Sequence, residues 1–533
     1  MNTKDYVRIA HRIINIVFWM LIGFLCGDSG MGFYFSALII YQILFIVIMG
    51  SMKDAVSKMV QVRNNRGFHS NSQKILRSAI LTSVIVSLLV NGTFFFFGNE
   101  LLDLLFGYTM PKSILVVFGV YFFLQSLATC YKGFYIGLGY DTAILLAESV
   151  YSIILIVSCV FVMKKMYIRG EAIAALLKNA RFANLNGAIG AVWCQCAALL
   201  VSLIILIINF RKSLRIVENE ATTIKGVDSH KSFFGNYIKI SLSVIEEKLF
   251  PVLLFFSLTV IYLRGADALG VECGSIFTSL GVFAGKFLIT VSCPFALFVD
   301  YVSKNKRKVR IDFNREEHTN LQSRVKYMFK NTIFMLLPIS VAIIILAKPI
   351  SMIFFAGKMA LGATLLRQGG IVVLLAGICY VAKSVLRAIE LDTYVLISTL
   401  VGYVASVLFL IPTVRTNVSI SMMVWATVIY YLVQALILLF LVYRMIGINM
   451  YEIGLKAVKV IIASGLMAAV LAVLDKLFVM NVLIFIISII VGALIYYISL
   501  AALRGISKKD ITSLKGTLSY YPTLIVGSFF IER

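Results

Sequence analysis

The chain has 533 residues, of which 60% are hydrophobic and 14% are charged, and its mean hydropathy is +0.96. Average soluble proteins are about half apolar and a quarter charged, so the composition excludes a chain of several water-soluble domains. The net charge of +24 is explained by basic cytoplasmic loops, because these carry an excess of lysine and arginine in membrane proteins. No nucleic-acid partner is predicted.

Apolar windows of about 20 residues, the length of a membrane-spanning helix, follow one another along the sequence. They begin near Ile9, Met31, Ser78, Lys112, Thr142, Asn184, Tyr237, Gly274, Asn331, Thr364, Leu391, Ser419, Leu455 and Asn481. These runs are continuous, unlike the alternating strands of membrane barrels. The sequence therefore predicts an all-α, polytopic integral membrane protein with about 14 transmembrane helices.

Basic residues are concentrated in the loops on one predicted side of the membrane. The loops after the second, sixth and eighth spans and the C-terminal tail contain most of them, whereas the turn 27–30 and the segment 99–110 contain none. By the positive-inside rule both termini are predicted to be cytoplasmic. The basic segment 164–181 is the exception, and we expect it to form an amphipathic helix on the outer face.

Two short patterns recur at matching positions in the two halves of the chain. Gly-Asp-Ser-Gly-Met-Gly at 27–32 recurs in similar form as Gly-Ala-Asp-Ala-Leu-Gly at 265–270. The lysines at 132 and 383 each precede an Asp-Thr pair by nine residues. Duplicated units with an even number of spans lie parallel in the membrane. The repeat predicts two parallel six-helix lobes plus two C-terminal helices.

The predicted domains are an N-terminal lobe at 1–215, a C-terminal lobe at 216–445, two additional helices at 446–503 and a cytoplasmic tail at 504–533. Duplicated lobes are typical of transporters. The sequence has no phosphate-binding P-loop and no HExxH motif, so neither an enzyme nor a cofactor is predicted. Cys194 and Cys196 are two residues apart on a helix and point to different faces, which argues against a metal site. The four histidines are scattered, and we expect them to be solvated.

Ionisable residues within spans are the candidate functional residues, because a charge at the bilayer centre costs about 2.5–3.5 kcal/mol. Lys286 lies near the middle of its span, and Glu148 lies two turns into the fifth. Both are predicted to line a substrate-binding cavity. The alternatives are a buried ion pair for Lys286 and a helix-packing contact for Glu148.

Further candidates for the cavity lie near the ends of spans. Lys239 and Glu246 are seven residues apart and share a helix face, which indicates either cavity lining or an interfacial amphipathic turn. Arg8 and Arg12 are one turn apart at the start of the first span and face either cytoplasmic headgroups or the mouth of a cavity. Lys53, from the first basic loop, completes the set.

Several motifs resemble those of a known superfamily. The resemblance covers most of the chain in span pattern but only the N-terminal third in motifs, namely Arg12, Gly27–Tyr34, Ala55–Val60, Lys74–Arg77, and Lys132–Gly137 followed by Asp141 and Glu148. These are similar to the stage V sporulation protein B family, which belongs with polysaccharide transporters and MviN-type lipid II flippases in the multidrug/oligosaccharidyl-lipid/polysaccharide (MOP) superfamily.

The resemblance implies two six-helix lobes around a central cavity, two extra C-terminal helices, and flipping of an undecaprenyl-linked glycan or peptidoglycan precursor across the bacterial cytoplasmic membrane. It implies several basic residues in the cavity, of which Arg12 matches the first. Trp19 and Phe24 stand where further basic side chains are expected. The expected partners are a polyprenyl-linked glycan, membrane lipids and envelope glycan synthases.

Two other functions remain open at this stage. A cation-coupled multidrug exporter of the same superfamily would need carboxylates deep in its cavity, and Glu148 is the isolated candidate. A non-transporting membrane scaffold would instead use the basic loops to dock an envelope-synthesis complex.

Overall fold

The computed structural model describes residues 3–66, 69–108, 111–179, 181–219, 230–448 and 450–505, and every regular element in these ranges is helical. The chain divides into two compact units between Gly281 and Val282. Many leucine, isoleucine and phenylalanine side chains are exposed along the long helices, as expected where the surrounding solvent is lipid.

The first unit consists of helices. They are α1 (Thr3–Met49), α2 (Met52–Asn64), α3 (His69–Phe106), α4 (Ser113–Leu138), α5 (Asp141–Ser158), a π-helical turn (Cys159–Met163), α6 (Lys164–Leu177), α7 (Arg181–Asn219), α8 (His230–Ala268) and α9 (Cys273–Val282), which ends at the division. The core lies where α1, α4 and α7 pack together and contains Phe18, Tyr34, Phe118, Phe122 and Cys194.

The second unit begins with a π-helical turn (Phe283–Leu288) that continues α9. The helices that follow are α10 (Ile289–Ser292), α11 (Phe295–Asn314), α12 (His318–Ile345), α13 (Ala347–Phe354), α14 (Met359–Gly369), α15 (Val372–Ala388), α16 (Asp392–Thr416), α17 (Ser421–Ile446), α18 (Met450–Leu477) and α19 (Val482–Ala502). The last two helices are fixed to α12, because Lys326 pairs with Glu452 at 2.6 Å and the Tyr496 hydroxyl donates to the Phe334 carbonyl at 2.8 Å.

The predicted fold class is confirmed. Within the described residues, 12 stretches are long and apolar enough to cross a membrane, and α14 with α15, which bend by 46°, make a thirteenth if they form one broken span. The stretch Tyr6–Asn64 counts as one of the 12, but α1 breaks at Gly27, where φ is 70°. Because glycine adopts positive φ without steric cost, this residue divides α1 into two crossings. If α14 and α15 form one span, the described residues contain 14 spans, the predicted number.

The basic segment 164–181 was expected to form an amphipathic helix on the outer face. The structure shows a helix there, α6 (Lys164–Leu177), and the side of the membrane on which it lies stays a prediction. Helix α5 continues without a break through the π-helical turn into α6, and α6 packs along α7. The Asp-Thr pairs of the predicted repeat open equivalent helices, α5 at Asp141 and α16 at Asp392. The domain boundaries after residues 215, 445 and 503 stay a prediction.

Candidate functional site

A cavity of about 340 Å³ within the first unit brings together four of the seven predicted site residues. We call it the basic cavity. Its walls come from α1, α2, α4 and α5, and it is lined by Arg8, His11, Arg12, Lys53, Ile136, Asp141, Ile144, Leu145 and Glu148.

Two glycines of α4 place Lys53 at this cavity. A Cβ on Gly133 would lie 2.7 Å from the Lys53 carbonyl oxygen, and one on Gly137 would lie 2.8 Å from the Ser57 carbonyl oxygen. Only glycine permits this close approach, because real Cβ atoms do not come so near to backbone oxygens. The Lys132–Gly137 motif therefore acts first through its glycines, which let α2 pack directly onto α4.

Both carboxylates of the basic cavity have a basic partner. Lys132 Nζ lies 3.2 Å from Glu148 Oε1, and these two side chains are 23% and 21% exposed. Arg8 lies 3.8 Å from Asp141 Oδ2 at the more exposed edge. Since Lys132 is one helical turn before Ile136 on α4, it adds a fourth cation beside Arg8, Arg12 and Lys53. Four cations face two carboxylates, so the basic cavity has an excess of positive charge.

His11 lies within a hydrogen-bond network, and its prediction as a solvated residue was wrong. The Ser152 hydroxyl donates to the Glu148 carbonyl at 2.9 Å, so it accepts from His11 Nδ1 at 2.8 Å. His11 Nε2 then accepts from Asn15 Nδ2 at 3.2 Å. The signal was present in the sequence, because Arg8, His11, Arg12 and Asn15 follow the spacing of one helix face.

The remaining predicted site residues lie elsewhere. Lys286 belongs to the second unit, within the π-helical turn, and is 2% exposed. A Cβ on Gly362 would lie 2.8 Å from its Cδ, so α14 packs directly against the lysine stem. Lys239 is exposed on α8. Glu246 is on the same helix, and its side chain lies outside the described residues.

The repeated motif at 27–32 forms a backbone contact between α1 and α9. A Cβ on Gly32 would overlap the Phe277 carbonyl group, and a Cβ on Gly281 would overlap that of Asp28. Glycine thus has two separate roles in one motif, since Gly27 supplies the positive φ and Gly32 supplies space.

A second cavity, of about 420 Å³, lies near this contact and is lined by Phe33, Asn99, Asp103, Pro111, Asn179, Arg181, Phe182, Leu185 and Cys273. Its rim is tied together by Arg181, which pairs with Glu272 at 2.6 Å, and by the Tyr108 hydroxyl, which donates to the Val271 carbonyl at 2.9 Å. Burial raises the pKa of Tyr108 to about 12.

No family model and no curated protein sequence matches the chain. Solved structures do. The inward closed conformation of the Lipid II flippase MurJ has a TM-score of 0.65 at 16% identity, over 94% of this chain and 98% of that one. An inward-facing multidrug resistance MATE transporter of the MOP superfamily has a TM-score of 0.64 at 13% identity, over 83% and 98%. A MOP superfamily transporter from Pyrococcus furiosus, described as having a binding pocket of reverse polarity, has a TM-score of 0.53 at 14% identity, over 83% and 94%.

The chain has the fold of MOP superfamily transporters. This fold is the one that the resemblance of the sequence motifs led us to expect. MurJ and the MATE transporters share this fold, so the MOP fold alone does not select a substrate. The basic cavity is the feature of this MOP-fold chain that bears on that choice.

Proposed function

We propose that this chain flips a lipid-linked oligosaccharide, an undecaprenyl-pyrophosphate glycan or peptidoglycan precursor, across the bacterial cytoplasmic membrane. The observation that carries the proposal is the excess of cations in the basic cavity. Arg8, Arg12, Lys53 and Lys132 outnumber Asp141 and Glu148. In a confined site with low-dielectric walls, such an excess attracts anions more strongly than it would in water.

The chemistry of the cargo matches this arrangement. A polyprenyl tail is stable in hydrocarbon, whereas the pyrophosphate and the glycan are not. Arg12 offers a planar guanidinium for two-point hydrogen bonding to phosphate, and Lys53 offers a compact point charge. Ile136, Ile144 and Leu145 form an apolar wall beside these cations. Such a cavity suits an amphiphilic anion better than a small soluble ion.

Transport then follows from alternating access, in which the headgroup bound in the first unit is exposed to one side of the membrane at a time. The Lys132–Glu148 pair has a direct role, because an arriving pyrophosphate competes with Glu148 for the lysine. Lys286 would contribute a cation in the second unit. Lys239 and Glu246 on α8 stay predictions for the cavity wall.

The alignment with MurJ also favours a flippase. It includes 94% of this chain, and α18 and α19, with 28 and 21 residues, are together longer than the unaligned remainder. At least part of the two additional helices therefore has a counterpart in that flippase. Membrane lipids and envelope glycan synthases are the partners that this function requires.

Glu148 and Asp141 support the second candidate, a cation-coupled multidrug exporter, because carboxylates bind cationic drugs and exchange protons. Both carboxylates have basic partners in this structure. An exporter predicts that Glu148→Gln abolishes drug resistance conferred by the chain. A flippase predicts that the same variant retains transport of the glycan precursor.

The proposal is tested by binding of a polyprenyl-pyrophosphate oligosaccharide to purified protein. Lys53→Glu should lower the affinity at least tenfold, since it replaces an attractive charge by a repulsive one. Arg77→Glu is the matched control, because Arg77 is an exposed cation on α3 outside the residues that line the basic cavity. An equal loss of affinity in both variants would mean that the overall charge of the protein causes the effect, and it would contradict a specific site.

A further inference from the structure

A third cavity, separate from the basic cavity, opens between α2, α3 and α8 in the first unit. Its volume is about 220 Å³, and it is lined by Lys58, Met59, Val62, Arg63, Lys74, Ile75, Ser78, Phe233, Asn236 and Ile240. We call it the α2–α3 cavity. No candidate from the sequence lies in it.

The cavity combines cations with apolar side chains, and helical spacing produces this combination. Lys58, Met59, Val62 and Arg63 lie on one face of α2, and Lys74 and Ile75 with Ser78 lie on one face of α3. The lining described by the structure has three cations and no carboxylate. It therefore selects for an anion.

The apolar neighbours indicate what kind of anion binds. The apolar residues that line the cavity are Met59, Val62, Ile75, Phe233 and Ile240, and Val62 among them is 48% exposed. Apolar side chains that remain uncovered beside a cation cluster fit a ligand with both an anionic group and hydrocarbon. A soluble anion would leave these side chains in contact with water.

We propose that the α2–α3 cavity binds the headgroup of an acidic phospholipid, with Lys58, Arg63 and Lys74 around its phosphate and its acyl chains along α8. The cations belong to a loop region that the positive-inside rule places in the cytoplasm, and basic pockets between helices on this side are suited to anionic lipid headgroups. This site goes beyond the proposed function and does not depend on the identity of the cargo.

Because α2 borders both cavities, a lipid bound in the α2–α3 cavity would affect the part of the protein that binds the cargo. The same helix carries Lys53 into the basic cavity, while Lys248 of α8 pairs with Asp54 at 2.7 Å and donates to the Gly50 carbonyl at 2.6 Å. A lipid that bridges α2 and α8 would reinforce this connection. Acidic lipid is therefore expected to stabilise the protein with or without cargo.

The test measures binding of a fluorescent phosphatidylglycerol to the purified full chain in neutral detergent, with no cargo present. Each surface lysine is expected to contribute about fivefold to affinity. Lys58→Gln/Lys74→Gln should therefore bind about 25-fold more weakly, while Arg77→Gln on α3 should bind like the parent. Phosphatidylcholine should bind to the parent and to every variant with the same affinity. An unchanged thermal midpoint of the double variant without lipid shows that it is folded.

Two results would overturn the proposal. One is equal phosphatidylglycerol affinity of the double variant and the parent. The other is complete competition by free glycerol phosphate at concentrations comparable to the lipid, which would assign the cavity to a soluble anion. If the double variant does not fold, the single variant Lys58→Gln should show a fivefold loss, and parental affinity would contradict the site. Cargo binding is measured separately, so failure here leaves the proposed function unaffected.

Discussion

Substituting Gly32 by alanine should disrupt the contact between α1 and α9 that the repeated glycine motif creates. The new Cβ would overlap the Phe277 carbonyl group and lie 2.8 Å even from its carbonyl carbon. Both obstructing atoms belong to the backbone, so neither can move aside by a change of side-chain rotamer. The helices must separate, and overpacking of this kind costs about 1–3 kcal/mol.

If α1 and α9 move apart in another state of the transport cycle, the new alanine side chain destabilises only the state seen in this structure. A change of 1–3 kcal/mol shifts a two-state equilibrium about 5- to 150-fold. Cys273 reports the shift, because it is half-buried, begins α9 and lines the second cavity. Its rate of modification by a thiol reagent, read by peptide mass spectrometry, should rise in Gly32→Ala.

The matched control is Gly23→Ala on the same helix. A Cβ there meets nothing within 4 Å, and replacing a mid-helix glycine by alanine stabilises a helix by about 0.5–1 kcal/mol. Its thermal midpoint should rise slightly, and its Cys273 should react at the parental rate. Parental reactivity and an unchanged midpoint in Gly32→Ala would refute the close contact.

Three other predictions concern charge and orientation. Lys132→Glu should impair transport at least tenfold, because it removes a cation from the basic cavity and places two carboxylates side by side. Combining it with Glu148→Lys should restore part of the activity, because the charge of the cavity and the 3.2 Å pair are both restored; complementation by each variant measures this, and no rescue would contradict the pairing. A cysteine at Asn65 should react with an impermeant thiol reagent only after membranes are opened, and one at Asn99 in intact cells; the reverse pattern would invert the topology. Lys286→Met preserves the packing against α14 but removes the charge. We expect normal expression with at least tenfold slower transport. Transport at the parental rate would show that the lysine serves only in packing.

The span pattern could be predicted from sequence because a membrane crossing requires a fixed length of apolar residues, which hydropathy reads directly. The side of a helix on which a residue lies could also be predicted, as with Arg8 and Arg12. What hydropathy does not distinguish is lipid from protein interior, since both are apolar. For that reason a cavity wall and a buried ion pair both stayed open for Lys286, which is 2% exposed in the structure.

Contacts between distant segments of the chain were beyond sequence reasoning. Lys132 was recognised only as part of the repeat and of a family motif. Its pairing with Glu148 depends on how α4 and α5 turn back on each other. The roles of Gly133 and Gly137 were equally hidden, because a glycine in a helix does not reveal which backbone approaches it. His11 shows the opposite case, in which the helical spacing contained the signal and its prediction as solvated was nevertheless wrong.

The measurement that tests the central proposal most directly is the flipping rate of a polyprenyl-pyrophosphate oligosaccharide in proteoliposomes. Arg12→Glu should slow flipping at least tenfold, because it reverses a charge in the basic cavity where the pyrophosphate is expected to bind. Arg77→Glu makes the same change of overall charge at an exposed site on α3 and should flip at the parental rate. Parental flipping by a folded Arg12→Glu protein would contradict a cationic cavity as the path of the headgroup.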